Sequence, residues 1–397
     1  MRICYFGTYS GQSGYPMNRV LLAGLEQAGA QVITCHQPVW ADAADKMAGV
    51  GGPLRLVARI LRLTGAWARL AVRFARLPEY DLLIVGYVGH LDIVLARFLS
   101  LFRRRPVVLN ALISLYDTVV LDRRLLSPAN PLARLLWWLD RTAFQLADAI
   151  LIDTHAHARH LSATFGVPDS RWIVVPVGAD PEGLPETPPP PPSAPPVRVL
   201  YFGTYIALHG VPTILTAARE LATDPGIHFR MVGRGQELAA ARGQARGLDN
   251  VEFVERWMER EELLDEIAAA HICLGVFGTG SKSQRVIPCK VFDALAMGRP
   301  VVTADNPAVR ELLGEELFPE GRAGGGRSKA KEAILVPPGD SRALVAVLRQ
   351  LAADPELRTA VGAAGYRRYR SRCTAGAIGG ELLAEFRARG RGTGLPW

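Results

Sequence analysis

Short apolar runs recur along the chain, separated by segments whose apolar residues fall every three or four positions. Such runs read as strands buried on both faces and such spacings as amphipathic helices, so their alternation predicts a parallel sheet flanked by helices. In the first half, strands are expected at 2–7, 31–35, 82–87, 106–110, 149–152 and 172–175. In the second half they are expected at 198–203, 228–232, 251–254, 272–276, 300–303 and 333–336, with helices at 211–223, 289–298 and 341–352. The opening strand also returns nearly unchanged, Arg2-Ile-Cys-Tyr-Phe-Gly-Thr-Tyr9 reappearing as Arg198-Val-Leu-Tyr-Phe-Gly-Thr-Tyr205. Each copy is an apolar strand ending in glycine, then a polar turn, then a helix, which is how a doubly wound sheet presents a ligand loop. An α/β chain of two Rossmann-like, doubly wound domains with facing clefts is predicted.

From Pro181 to Pro196 the chain is dominated by proline, which cannot continue a helix or a central strand, so an extended, semi-rigid linker is expected. This divides the chain into a domain at 1–180, the linker at 181–196, a domain at 197–375 and a helical tail at 376–397, whose pattern suits packing on either domain. The segment from Gly321 to Ser328 reads as a surface loop. A length of 397 residues with 49% hydrophobic side chains fills two cores.

The five cysteines are scattered singly without a Cys-x-x-Cys pair, which favours neither a disulfide framework nor a zinc site. Arg or Asp interrupts every apolar stretch before the roughly 20 residues a membrane span needs. Met1 leads directly into a strand, so a cytoplasmic protein is expected. The net charge of +8 is carried almost wholly by arginine, whose guanidinium pairs with two phosphate oxygens at once. No recognition motif or basic run interleaved with aromatics points to nucleic acid, which is not an expected partner.

The segment Pro288-Cys-Lys-Val-Phe-Asp-Ala-Leu-Ala-Met-Gly-Arg-Pro-Val-Val302 carries a family likeness. It is supported in order by Val175-Pro-Val-Gly-Ala-Asp180, Met231-Val-Gly-Arg-Gly-Gln-Glu237, Val336-Pro-Pro-Gly-Asp340 and Asp354-Pro-Glu-Leu-Arg358. Over most of its length the chain resembles the retaining GT-B glycosyltransferases of family 4, the group of sucrose synthase and bacterial lipid mannosyltransferases. The resemblance implies transfer of a sugar from a nucleotide-diphosphate donor, held by the second domain, with retention of anomeric configuration. Helix N-termini and fixed cations would stabilise the departing diphosphate, so neither a metal nor another cofactor is expected.

The family's second signature acid falls on Asp293, implying hydrogen bonds from the donor ribose, and its first falls on Arg285, a departure read as added cationic help for phosphate. Lys290, one helical turn before Asp293, is placed to meet the diphosphate. Where the family has its Gly-Arg and Lys-Gly cations, this chain has Thr204 and His209, with Gly210 allowing close backbone approach. Arg234 and Trp257 follow strands at the carboxyl ends where open sheets bind nucleotides. On the acceptor side the loop of Gly11, Ser13, Gly14, Tyr15 and Asn18 precedes a helix. The family's strand-end histidine is replaced by Leu112, leaving His90, Asp117 and Asp153 as candidates for the polar contact to the sugar. His155, His157 and His160 are read as a solvated helix rather than a metal site, because 155 and 157 point to different faces.

Between Leu54 and Leu77 the arginines at 55, 59, 62, 69, 73 and 76 form one stripe against apolar neighbours. This predicts a basic amphipathic helix able to lie on an anionic membrane, against the alternative of a core-packed helix with an arginine face. The expected protein is a transferase at the cytoplasmic membrane surface, moving sugar to a glycan or lipid-linked acceptor in cell-envelope synthesis. The alternatives are a GT-B epimerase or phosphorylase and a non-catalytic nucleotide-binding or membrane scaffold. A dehydrogenase is disfavoured because neither turn gives a full Gly-x-Gly-x-x-Gly.

Overall fold

The computed structural model describes residues 1–9, 16–39, 53–313 and 332–393. Gly11, Ser13, Gly14 and Tyr15 of the acceptor-side loop, and the glycine-rich segment 321–328, lie outside the described residues. The chain divides into two compact units, residues 1–177 with 374–397, and residues 178–373.

The first unit opens with β1 (Arg2–Gly7), α1 (Met17–Gln27), β2 (Gln31–His36) and α2 (Pro53–Ala75). It continues with β3 (Leu82–Val85), α3 (Asp92–Leu101), β4 (Val107–Asn110), a π-helix (Asp117–Asp122), α4 (Pro131–Leu146), β5 (Ala149–Ile152), α5 (His155–Phe165) and β6 (Trp172–Val174). The strands form one parallel sheet in the order β2-β1-β3-β4-β5-β6. Strands β3, β4 and β5 are buried throughout, as expected for a sheet covered on both faces. Helices α2 to α5 pack on the sheet around a single core that includes Leu70, Phe74, Ile93, Phe144 and Leu161.

The second unit contains β7 (Val197–Phe202), α6 (Val211–Glu220), β8 (Ile227–Val232), α7 (Leu238–Gln244), β9 (Val251–Val254), α8 (Arg260–Ala268) and β10 (Ile272–Leu274). After these come α9 (Cys289–Ala296), β11 (Val301–Ala304), α10 (Pro307–Leu313), β12 (Ile334–Val336), α11 (Ser341–Ala353) and α12 (Pro355–Arg372). Its parallel sheet runs β12-β11-β10-β7-β8-β9, over a core that includes Val199, Ile214, Phe229, Ile272 and Leu348. The two halves repeat not only a sequence but a position: β1 lies between β2 and β3, and β7 between β8 and β10.

Two stretches are held more firmly than their composition suggests. The proline-rich segment belongs to the second unit, where buried Arg299 donates from Nη2 to the carbonyls of Pro189 (3.0 Å) and Pro190 (3.1 Å). Proline lacks an N–H but keeps its carbonyl, so a guanidinium can strap such a segment down. The C-terminal helix α13 (Ala375–Thr393) belongs to the first unit and crosses α1, with Gly379 against the backbone of Gly24.

In α2, Ala66, Leu70 and Phe74 are buried in the core, while Arg62, Arg69 and Arg73 face outward, as does Arg76 just after the helix. Part of the apolar side thus packs on the sheet, while Ile60, Leu61 and Val72 are exposed beside the arginines. Among the described residues no helix is long and apolar enough to cross a membrane.

Candidate functional site

The repeated turns supply the frame. Gly7 has φ +128° and Gly203 φ +134°, a conformation that L side chains rarely adopt, so the two glycines are required where the strand hands over to the turn. In each unit the strand beside the repeat leads to a helix whose first turn aims a charged side chain at that glycine, Asp92 of α3 at Gly7 and Lys290 of α9 at Gly203.

In the first unit the position is filled by the protein itself. Asp92 Oδ2 accepts from the Thr8 amide at 2.6 Å and the Thr8 hydroxyl at 2.8 Å, and Oδ1 accepts from Trp67 Nε1 at 2.8 Å. Burial pushes the carboxyl pKa up, and these hydrogen bonds pull against it. A carboxylate at the start of a helix is where the dipole favours it.

In the second unit the corresponding side chain has the opposite sign. A Cβ on Gly203 would lie 3.2 Å from Lys290 Cε and Nζ. The buried ammonium sits 4.0 Å from the Tyr201 ring centroid and 3.3 Å from His209 Nδ1, which is also 2.8 Å from the Tyr201 hydroxyl. Burial drives the Lys290 pKa well below its ordinary value. Among the described residues no carboxylate lies within ion-pair distance of it. A cation in a helix's first turn also opposes the dipole. Three costs therefore coincide, burial, an unpaired charge and an adverse dipole, and an anion beside Lys290 would relieve all of them.

Loops from neighbouring strands close around this point. Gly210, at φ +63°, lies so near the Phe277 and Gly278 backbone that a Cβ would meet it at 2.4 Å. The Gly233–Arg234–Gly235 turn lies against the backbone of Gly203 and Tyr205, and the Tyr205 amide donates to the Arg234 carbonyl at 3.0 Å. Thr204 takes part through its carbonyl, 3.0 Å from the Tyr201 hydroxyl.

Asp293, in the middle of the buried run from Lys290 to Ala296 in α9, pairs with Arg260 at 2.9 Å. Arg260 also donates to the carbonyls of Asp180 and Glu182. Burial raises the Asp293 pKa, with Arg260 pulling it down. Arg285 is buried in the loop before α9, whereas Trp257 is 58% exposed.

The first-unit candidates fall into separate buried pairs. His90 Nε2 is 3.4 Å from Asp140 Oδ1, and burial lowers the His90 pKa. His157 Nδ1 is 2.7 Å from Asp153, and His160 Nε2 is 3.4 Å from Asp117. His157 is fully buried, contrary to the solvated helix expected there, because Asp153 just before α5 supplies its partner. Asp140 was not anticipated: it accepts from the Ser114 hydroxyl (2.6 Å) and the Tyr116 amide (2.8 Å), and its signal was a lone carboxylate on the inward side of the apolar α4. Asn18 is buried, its Oδ1 accepting from the Tyr5 hydroxyl and the Tyr87 amide, both at 2.8 Å. Leu112 adopts φ +52°, an unfavourable conformation for a bulky side chain. Among the described residues no group of three potential metal ligands is found.

Two family models match the chain, Glycosyltransferase Family 4 over residues 18–182 and Glycosyl transferases group 1 over residues 196–354. The chain belongs to the GT-B glycosyltransferases. Solved structures share the fold of this glycosyltransferase over nearly its whole length. Sucrose-phosphate synthase from Thermosynechococcus elongatus aligns with a TM-score of 0.65 at 16% identity, covering 99% of this chain and 100% of that one. HepE from Anabaena, in complex with UDP and glucose, aligns with a TM-score of 0.62 at 16% identity, covering 98% and 100%. The lipopolysaccharide outer core galactosyltransferase WaaB, in its apo form, gives 0.58 at 13% identity, covering 98% and 100%. No curated protein matches the glycosyltransferase in sequence.

Proposed function

We propose that this glycosyltransferase binds a nucleotide-diphosphate sugar on its second unit and transfers the sugar, with retention, to a glycan or lipid-linked acceptor in cell-envelope glycoconjugate synthesis. The observation that carries the reading is Lys290, a buried ammonium held beside Gly203 and His209 with no carboxylate near it among the described residues. In the transfer, the bond between the anomeric carbon and the phosphate oxygen breaks and its electron pair leaves with the diphosphate. A new bond forms to an acceptor hydroxyl, whose proton passes to an oxygen of the departing diphosphate. Lys290, the start of α9 and Arg285 stabilise the charge that develops on the leaving group, and no metal is assigned to that task. Asp293 takes the ribose hydroxyls, with Arg260 fixing its orientation. HepE in complex with UDP and glucose, a structure of the same fold, makes UDP the first nucleotide to test. The arginine face of α2 suits work beside an anionic membrane at the cytoplasmic side.

A second reading, a nucleotide-binding protein without turnover, draws on the Arg260–Asp293 pair and on Thr204, His209 and Arg285 standing where the resembled family has other charges. A thermal-shift and calorimetric panel of UDP, GDP, ADP and TDP with their common sugars separates the readings. A selective response that disappears in Lys290→Ala and Asp293→Ala, together with donor consumption in the wild type, supports the transferase. Binding without consumption supports the second reading, and no binding by any nucleotide removes both.

A further inference from the structure

We propose that the outer face of α3 and α4 is a lipid-docking surface that seats the first unit on a bilayer containing anionic headgroups. The inference rests only on the membrane part of the reading above and uses nothing of the nucleotide site, so vesicle binding and nucleotide binding can fail separately.

Helix α3 is apolar on two sides. Ile93 and Ala96 turn inward to the core, yet Val94, Phe98 and Leu101, with Phe102 directly after them, turn outward, and the two rings are 58% and 76% exposed. Steps of four and three residues make this outer set a stripe in its own right. The helix has no exposed charge to interrupt it, since Asp92 is buried and Arg97 is tied to Asp148 at 2.9 Å. Helix α4 packs beside α3 and carries its own exposed apolar residues, Leu135 and Trp138, 62% and 61% exposed. Isolated exposed apolar residues are ordinary, but an exposed stripe on one helix beside a packed helix with exposed apolar residues of its own marks a surface that something covers.

The surrounding charge identifies the occupant. Between Pro53 and Leu146 every cation is an arginine, and arginines outnumber carboxylates by more than two to one. Asp92, Asp117 and Asp140 are buried, which leaves the surface more positive still. Exposed Arg62 and Arg69 lie on α2, packed against α3, Arg76 directly follows α2, and exposed Arg104 lies two residues past the end of the stripe. An apolar ridge bordered by guanidinium groups complements a bilayer, whose acyl boundary receives the rings while its phosphates meet the cations. A ring such as that of Trp138 suits the boundary between the two. A second copy of the chain would bring the same positive charge to the contact and be repelled. The apolar anchor thus lies on α3 and α4, not on the inward face of α2.

The test is co-sedimentation of the full chain with vesicles of phosphatidylcholine, and of phosphatidylcholine mixed with phosphatidylglycerol, with size-exclusion chromatography in parallel. The wild type is expected to bind the mixed vesicles, less so as salt is raised. The triple variant Phe98→Ser, Phe102→Ser, Trp138→Ser should lose about tenfold or more in partitioning with an unchanged melting temperature. Arg62→Gln, Arg69→Gln, Arg76→Gln should lose the preference for the anionic vesicles. Wild-type Trp138 fluorescence should be quenched by a lipid carrying a quencher in its acyl chain. Unchanged partitioning of the ring variant would overturn the proposal, as would a wild-type dimer that the ring variant converts to monomer, which would make this face a self-interface.

Discussion

The turn after β1 and the turn after β7 have nearly the same sequence, the same glycine conformation and the same place in their sheets, yet they hold side chains of opposite charge. After β1 the chain supplies its own anion: Asp92 accepts the Thr8 amide and hydroxyl, and the turn is internally satisfied. After β7 it supplies a cation, Lys290, buried without a carboxylate among the described residues. A Rossmann turn is thus not a ligand site by virtue of its backbone. The helix aimed at it decides, by one residue, whether the turn is closed from within or left in need of an external anion.

The largest effect should come from Lys290. Lys290→Met is expected to weaken nucleoside-diphosphate binding about a hundredfold, measured by calorimetry, through loss of a charge-assisted contact. The same substitution should stabilise the free protein by about 1–3 kcal/mol in denaturant unfolding, because a buried unpaired ammonium is replaced by an apolar chain of similar length. Loss of both binding and stability would mean that Lys290 is only a packing residue.

The two glycines come next. Gly7→Ala and Gly203→Ala should each cost about 1–3 kcal/mol of stability, since both demand the strained φ and bring a Cβ against the facing side chain. Only Gly203→Ala should also weaken nucleotide binding, because only there does the Cβ press on the cation. Equal effects of the two on binding would dissolve the contrast.

A smaller change is expected from Asp92→Asn, about 1 kcal/mol of stability lost, as one of its three donors must face an amide N–H instead of an oxygen. Nucleotide affinity should not move.

The pH dependence is the finest expression of the difference. Lys290 has a lowered folded pKa, so between that value and the ordinary 10.5 the unfolded chain carries a proton that the folded chain lacks, and stability rises with pH through that window. Asp92 has a raised folded pKa, so above the ordinary 3.8 the folded chain keeps a proton that the unfolded chain has lost, and stability falls as pH climbs through the raised value. Melting temperatures followed against pH should show the alkaline rise flattened in Lys290→Met and the acid-side fall flattened in Asp92→Asn.

Much of this arrangement can be read from the chain. The strands are legible because parallel strands covered on both faces are unbroken apolar runs, and nearly every expected run is a strand within a residue or two. Lys290 is legible because lysine is scarce here and this one stands in the first turn of a signature helix. Its counterpart Asp92 is not, since it meets Thr8 across 84 positions and no local spacing reports the contact. Arg260, which occupies the Asp293 carboxylate, and Arg299, which straps the proline segment, are likewise long-range partners whose neighbours in sequence say nothing of what they touch. The amphipathic α2 is legible only in part. Its pattern gives an apolar and a basic side, but periodicity cannot say which apolar residues meet the sheet: Ala66, Leu70 and Phe74 do, while Ile60, Leu61 and Val72 are exposed.

The central claim is that the second turn awaits an anion that the first turn already has. Titrating UDP by calorimetry into the wild type, Lys290→Met and Asp92→Asn tests it most directly. The account predicts one UDP bound per chain in the wild type and in Asp92→Asn, and binding reduced about a hundredfold in Lys290→Met. UDP affinity that survives Lys290→Met, or that depends on Asp92, would contradict it.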